Sequence, residues 1–139
     1  MATAAYWHAT DILPDDILTA ILELARRSSN QKHLTFRGHD SELQRLFWKL
    51  AQSCHNRFLE PFVFSDRGPE PYSPVLTESI SRLQLSAFVG RDNPDYEVLF
   101  LRPAAEEYFD NELQTRLSKQ DMGELQRVAE GFLSLIGVT

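Results

Sequence analysis

The chain has 139 residues, 42% hydrophobic and 24% charged. That is enough for one domain with a sizeable core, too little for two ordinary domains, and not the composition of a disordered chain. The net charge of −6 argues against a surface that grips nucleic acid all over. Acids and bases balance at seven each in residues 1–64, and the acidic excess builds later, six against four in 65–102 and seven against three in 103–139.

Cys54 is the one cysteine, so an internal disulfide framework is excluded and a reducing cytoplasm is expected. The start, Met-Ala-Thr-Ala-Ala-Tyr-Trp-His, has no basic flank and no apolar core of the kind a signal peptide needs. No apolar run approaches the length of a membrane span. The expectation is a soluble cytoplasmic protein, a single domain over 1–139, without a membrane partner.

Asp11-Ile-Leu-Pro-Asp-Asp16 reads as a helix start, with Pro14 in the first turn and two acids at the positive end of the dipole. Ile17, Leu18, Ile21, Leu22 and Ala25 then make one apolar stripe, closed by Arg26 and Arg27. Ser28 to His33 is a loop, and Leu34-Thr35-Phe36 predicts a short strand. Asp40 or Ser41 caps the next helix, whose stripe is Leu43, Leu46, Phe47, Leu50, Ala51 and Cys54. Pro61-Phe-Val-Phe64 is extended, and Asp66-Arg-Gly-Pro-Glu-Pro71 is a loop.

A third helix is expected over Tyr72–Gln84, then a strand in Leu85–Val89, a turn in Gly90–Asp95 and a returning strand in Tyr96–Leu101. Pro103 opens a helix carrying Ala105, Tyr108, Phe109 and Leu113. Ser118 with Asp121 forms a capping box for the last helix, which carries Met122, Leu125, Ala129, Phe132, Leu133 and Ile136 and is closed by Gly137. The order predicts an α+β, mainly helical fold: a winged-helix-like core over about 14–102 and a C-terminal two-helix extension over about 103–137.

No constellation looks like an active site, so an enzyme, a cofactor and a metal are not expected. Cys54 and His55 are neighbours on a helix, where consecutive side chains point apart, and Cys54 continues the apolar stripe. His33, His39 and His55 fit no zinc spacing. Asp15-Asp16 and Glu106-Glu107 lie in first helical turns, where the dipole accounts for them.

The segment from Ala25 to His39 contains Arg26, Arg27, Lys32 and Arg37 and no acid, which makes it the candidate for phosphate contact. On the third helix the outward residues Thr77, Glu78, Ser81, Arg82 and Gln84 form the candidate recognition face. That face carries no net charge, and the hairpin sets Arg91 against Asp92 and Asp95. Base reading through this face is therefore disfavoured. The last helix has an apolar face wide enough to suggest a homodimer through Val128, Phe132 and Leu135, unless both C-terminal helices fold back on their own core.

Leu43-Gln-Arg-Leu-Phe-Trp-Lys-Leu50, the loop Gly68-Pro-Glu-Pro-Tyr-Ser73, the apolar set Leu76, Ile80 and Leu83, the return Tyr96–Leu101 and the helix from Pro103 to Tyr108 form a pattern over about residues 40–110. It resembles the Panacea or SocA-type antitoxin domain family, with Glu70-Pro71 inserted where the family runs Gly-Pro-Tyr-Ser. The resemblance implies a bacterial or phage-related, non-enzymatic protein that binds another protein, in some cases a toxin. The leading expectation is thus an antitoxin- or adaptor-like protein-interaction module. The alternative is a winged-helix DNA-binding transcriptional regulator.

Overall fold

In the computed structural model, residues 12–31, 34–37, 40–65, 67–92 and 98–137 are described, apart from the side chains of Asp40 and Asp92. Helix α1, Pro14–Ser29, starts with proline in its first turn beside Asp15 and Asp16, and stops where Asn30 takes a left-handed φ of 58°. It buries more than the one stripe its sequence predicts. Every residue from Asp16 to Ala25 is buried, because the third helix and the C-terminal helices pack around α1. Thr19 remains satisfied there by donating to the Asp15 carbonyl at 2.9 Å.

Strand β1, Thr35–Arg37, lies one residue later than the sequence predicts. Helix α2, Asp40–Cys54, buries Leu43, Phe47 and Leu50, with Leu46, Ala51 and Cys54 partly covered beside them. It ends at His55, whose φ is 43°. A 3-10 turn, Arg57–Leu59, follows, started by the Asn56 side chain accepting from the Phe58 amide. Pro61–Phe64 forms no strand; the Phe62 amide donates to the Leu59 carbonyl at 3.1 Å, and just beyond the stretch Ser65 and Tyr72 form a single antiparallel bridge.

Helix α3, Pro74–Leu85, begins two residues later than expected, because Ser73 caps it by accepting from the Leu76 amide and Pro74 takes the first helical position. Leu85 belongs to this helix and stands 86% exposed, so the first hairpin strand does not start there. Ala87, at φ 63°, turns the chain instead, and strand β2, Val89–Asp92, contains the Gly90 expected in the turn. Gly90 pairs with Phe100, and a Cβ at Gly90 would sit 2.4 Å from the Phe100 ring. The glycine is therefore needed for close packing within the sheet rather than for a turn.

Strand β3, Val98–Leu101, lies between the other two in an antiparallel sheet of order β1-β3-β2. Helix α4, Pro103–Tyr108, continues through a π turn, Phe109–Leu113, and one further helical turn, Gln114–Arg116. Helix α5, Lys119–Ile136, begins with the expected reciprocal capping box of Ser118 and Asp121 and ends at Gly137, φ 84°. The architecture is α+β and mainly helical, with the small antiparallel sheet at one side.

Helix α5 is an integral part of the core. It packs on both α1 and α2, and Leu125, Val128, Ala129 and Phe132 are fully buried. The Phe132 ring meets Phe36 edge-on at 5.1 Å and Phe47 at 5.8 Å. Gly131 allows the close crossing with α2: a Cβ there would come within 3.1 Å of Leu50 and 3.2 Å of the Cys54 Sγ. Cys54 thus packs at a helix crossing, as its place on the apolar stripe suggests. No helix among the described residues is long and apolar enough to cross a membrane.

Candidate interaction surface

In the basic segment the structure adds partners that the order of the chain does not show. Arg26 and Arg27 meet carboxylates brought in from elsewhere. Glu23, one turn earlier on α1, is fully buried, and its carboxylate accepts from Arg26 Nε at 2.9 Å, Arg26 Nη2 at 2.6 Å and Arg27 Nε at 2.6 Å. Arg26 Nη2 also reaches Glu106 at 3.0 Å, and Arg27 Nη2 reaches Asp110 at 2.7 Å. Arg27 lies over the Phe109 ring, 4.9 Å from its centroid.

These bonds hold both guanidinium groups further towards the charged form than usual. For Arg26 the hydrogen bond with Glu23 is the main cause. For Arg27 burial opposes the charge most strongly, and the hydrogen bonds with Asp110 and Glu23 outweigh it. Two of the four residues read as phosphate contacts are therefore committed to intramolecular pairs. Lys32 lies outside the described residues. Arg37 is exposed and pairs with Glu42 at 3.5 Å.

The candidate recognition face behaves similarly. Glu78, Ser81, Arg82 and Gln84 are exposed on α3, and Thr77 is half-buried. Arg82 is held by both oxygens of Asp15, at 2.7 and 2.9 Å, which raises its pKa. Gln84 accepts from Arg91 Nε at 3.1 Å. Thr77 Oγ1 accepts from the buried Gln44 Nε2 at 2.7 Å. Asp95 of the hairpin turn lies outside the described residues.

Of the residues expected at a dimer face, Val128 and Phe132 are fully buried within the chain, covered by α1 and α2, and Leu135 alone is exposed, at 41%. The apolar face of the last helix is thus largely consumed by its own core.

Two pieces of sequence far apart in the chain meet at Gln44. Its amide donates to the Ser73 carbonyl at 3.1 Å and its carbonyl oxygen accepts from the Ser73 amide at 2.7 Å. Next to it Arg45 pairs with Glu70. The Leu43-Gln44-Arg45 segment therefore fixes the loop before α3 and, through Thr77, the first turn of that helix. This role is structural, because Gln44 is buried and its polar atoms are satisfied inside the fold.

A feature missed in the sequence is a cleft of about 410 Å³ beside the second face of α2. Trp48, Ala51, Gln52 and His55 recur at i, i+3, i+4 and i+7 and form one wall. Leu59 and Phe62, both buried, close its base, and half-buried Phe64 borders it. Glu60 stands exposed at its edge. The signal available in the sequence was Trp48, a large aromatic lying off the apolar stripe of its helix. Val63, 70% exposed, and Tyr72, 48% exposed, are large apolar side chains on the segments joined by the Ser65–Tyr72 bridge.

A second cleft of about 300 Å³ is lined by Arg37, Arg45 and Lys49, by Glu42, and by apolar Leu46, Leu135 and Ile136. Comparison with protein-family models, with curated proteins and with solved structures finds no match to this chain.

Proposed function

We propose that this chain is a non-catalytic protein-interaction module, antitoxin- or adaptor-like, built on a winged-helix-like core. Support for such a core comes from the element order α1-β1-α2-α3-β2-β3 and the sheet order β1-β3-β2, which together set a hairpin behind a helix–helix pair. The observation that carries the functional reading is the fate of the arginines. Arg26, Arg27 and Arg82 are each paired with carboxylates of the chain itself, so the surfaces through which the core would hold DNA offer little positive field. The cleft beside α2, by contrast, is bordered by Trp48 and Phe64, and tryptophan is among the side chains enriched at the anchors of protein interfaces.

The alternative, a DNA-binding regulator, draws support from the convergence of Arg37, Arg45 and Lys49 on one cleft, although Glu42 and Glu70 pair with two of them. Affinity capture from the native host, run beside duplex-DNA anisotropy at low salt, separates the two. The interaction reading expects a protein retained by the wild type and lost on changing Trp48→Ala, with no retention of DNA. Saturable DNA binding, whose affinity falls with salt and falls again on changing Arg37, Arg45 and Lys49 to Ala, would replace it by the alternative.

A further inference from the structure

The cleft beside α2 sets Trp48 and Phe64 near a carboxylate, Glu60, among the polar side chains Gln52, His55 and Asn56. Among the described residues lining it there is no lysine or arginine, and Glu60 makes no ion pair. The arginine closest in sequence, Arg57, is engaged elsewhere. It pairs with Asp121 and, at 3.0 Å, with Glu124 on α5, and its guanidinium lies 4.7 Å from the Phe58 ring centroid. Glu60 is therefore left to solvent beside Trp48, Phe62 and Phe64.

A guanidinium suits such a site in two ways. It stacks on an aromatic face, and it pairs with a carboxylate in a planar fork. The fold already uses this combination internally: Arg27 lies over Phe109 while bonded to Glu23 and Asp110, and Arg57 lies over Phe58 while bonded to Asp121 and Glu124. The cleft presents the same two components, a ring and an acid, without the arginine.

We propose that this cleft receives an arginine side chain carried by a protein partner, stacked on Trp48 and paired with Glu60. The inference rests on the reading of the chain as a protein-interaction module. The chain's net charge of −6 favours a basic partner segment and steers its approach. The cleft's volume of about 410 Å³ lies in the range of sites that admit a side chain or small ligand.

The test uses the full chain with Trp7→Phe, so that Trp48 alone emits, and two blocked amino acids as probes. N-acetyl-arginine methylamide is titrated against N-acetyl-citrulline methylamide, which has nearly the same shape and no charge. The proposal expects a saturable change of Trp48 emission with the arginine compound and binding about tenfold weaker with citrulline. Changing Glu60→Gln, at an exposed position whose side chain makes no ion pair with the described residues, should remove most of that difference.

Equal response to the two compounds, no saturable response to the arginine compound, or an unaltered preference in Glu60→Gln would overturn the proposal. Its failure is separable from failure of the interaction reading. A protein captured from the host whose retention survives Glu60→Gln and excess arginine compound would leave that reading standing and refute the arginine site.

Discussion

The two long sides of α1 and α2 are held together by different physics. Where α4 and the π turn dock on α1, the contact is a lattice of charge: Glu23 under Arg26 and Arg27, Glu106 and Asp110 beyond them, and Asp16 accepting from the Tyr108 hydroxyl at 2.8 Å and from Arg116 at 3.4 Å. Where β1, α2 and the segment after it meet α5, the contact is a run of rings set edge-on or tilted, Phe36, Phe132, Phe47 and Phe62, without a charge among them. The ring contact gains from burial whatever its precise geometry. The charge lattice repays the desolvation of Glu23 only while all its partners are in place. One consequence is functional: the arginines that satisfy Glu23 are drawn into intramolecular pairs, whereas on the other side Phe62 forms both part of the ring contact and the base of the open cleft beside Trp48.

The largest expected effect is on the aromatic side. Phe47 is 1% exposed and touches both Phe62 and Phe132, so Phe47→Ala should cost about 3–5 kcal/mol. Urea denaturation checks it; a midpoint unchanged from the wild type would mean that the ring contact is not the main tie between α2 and α5.

On the charged side, Glu23→Gln keeps the shape but removes the charge facing two guanidinium groups. The expected loss is about 1.5–3 kcal/mol, the value of hydrogen bonds to a charged group. If that variant were as stable as the wild type, the lattice would be positioning α4 without stabilising it, and the contrast between the two sides would sharpen.

The smallest effect is Tyr108→Phe, about 1 kcal/mol at neutral pH for one half-buried hydrogen bond. Burial, then the hydrogen bond with Asp16, raises the Tyr108 pKa above its ordinary value. A raised folded-state value means that the phenol stabilises the fold fully below the unfolded pKa of about 10 and loses that contribution as pH rises through the folded value. The gap between wild type and Tyr108→Phe should therefore be constant from neutral pH to mildly alkaline conditions and close above that. Chemical denaturation at a series of alkaline pH values measures it, and a gap that widened with pH would reverse the assignment.

Much of the helical framework was legible in the chain. The stripe Leu43, Phe47 and Leu50, the start at Pro14, the box of Ser118 and Asp121 and the stop at Gly137 all stand where their spacing and chemistry put them. Strand positions were less legible. Leu85 reads as the opening of a strand by its apolar character, yet it extends α3, and Gly90 reads as a turn when it is a gap filled by the Phe100 ring. A strand of four residues carries too little periodicity to set its own limits.

The candidate sites divided along the same line. Trp48 lies off the apolar stripe of its helix, but its cleft, which the sequence reading missed, needs the chain to return through Leu59, Phe62 and Phe64. Arg26 and Arg27 looked available because no acid lies near them on their C-terminal side.

The sequence by itself determined which stretches are helical, several of their starts and stops, such as Pro14, the Ser118–Asp121 box and Gly137, and that the composition carries an acidic excess. These depend on backbone hydrogen bonding and side-chain spacing over a few residues. Tertiary structure alone decided that Glu106 and Asp110 neutralise arginines about eighty positions earlier in the chain. It also decided that α1 and α2 cover Val128 and Phe132, and that Glu60 is left at the cleft with Trp48 and Phe64. Charge and apolar surface act through space, and their partners are set by how the helices pack rather than by their order along the chain.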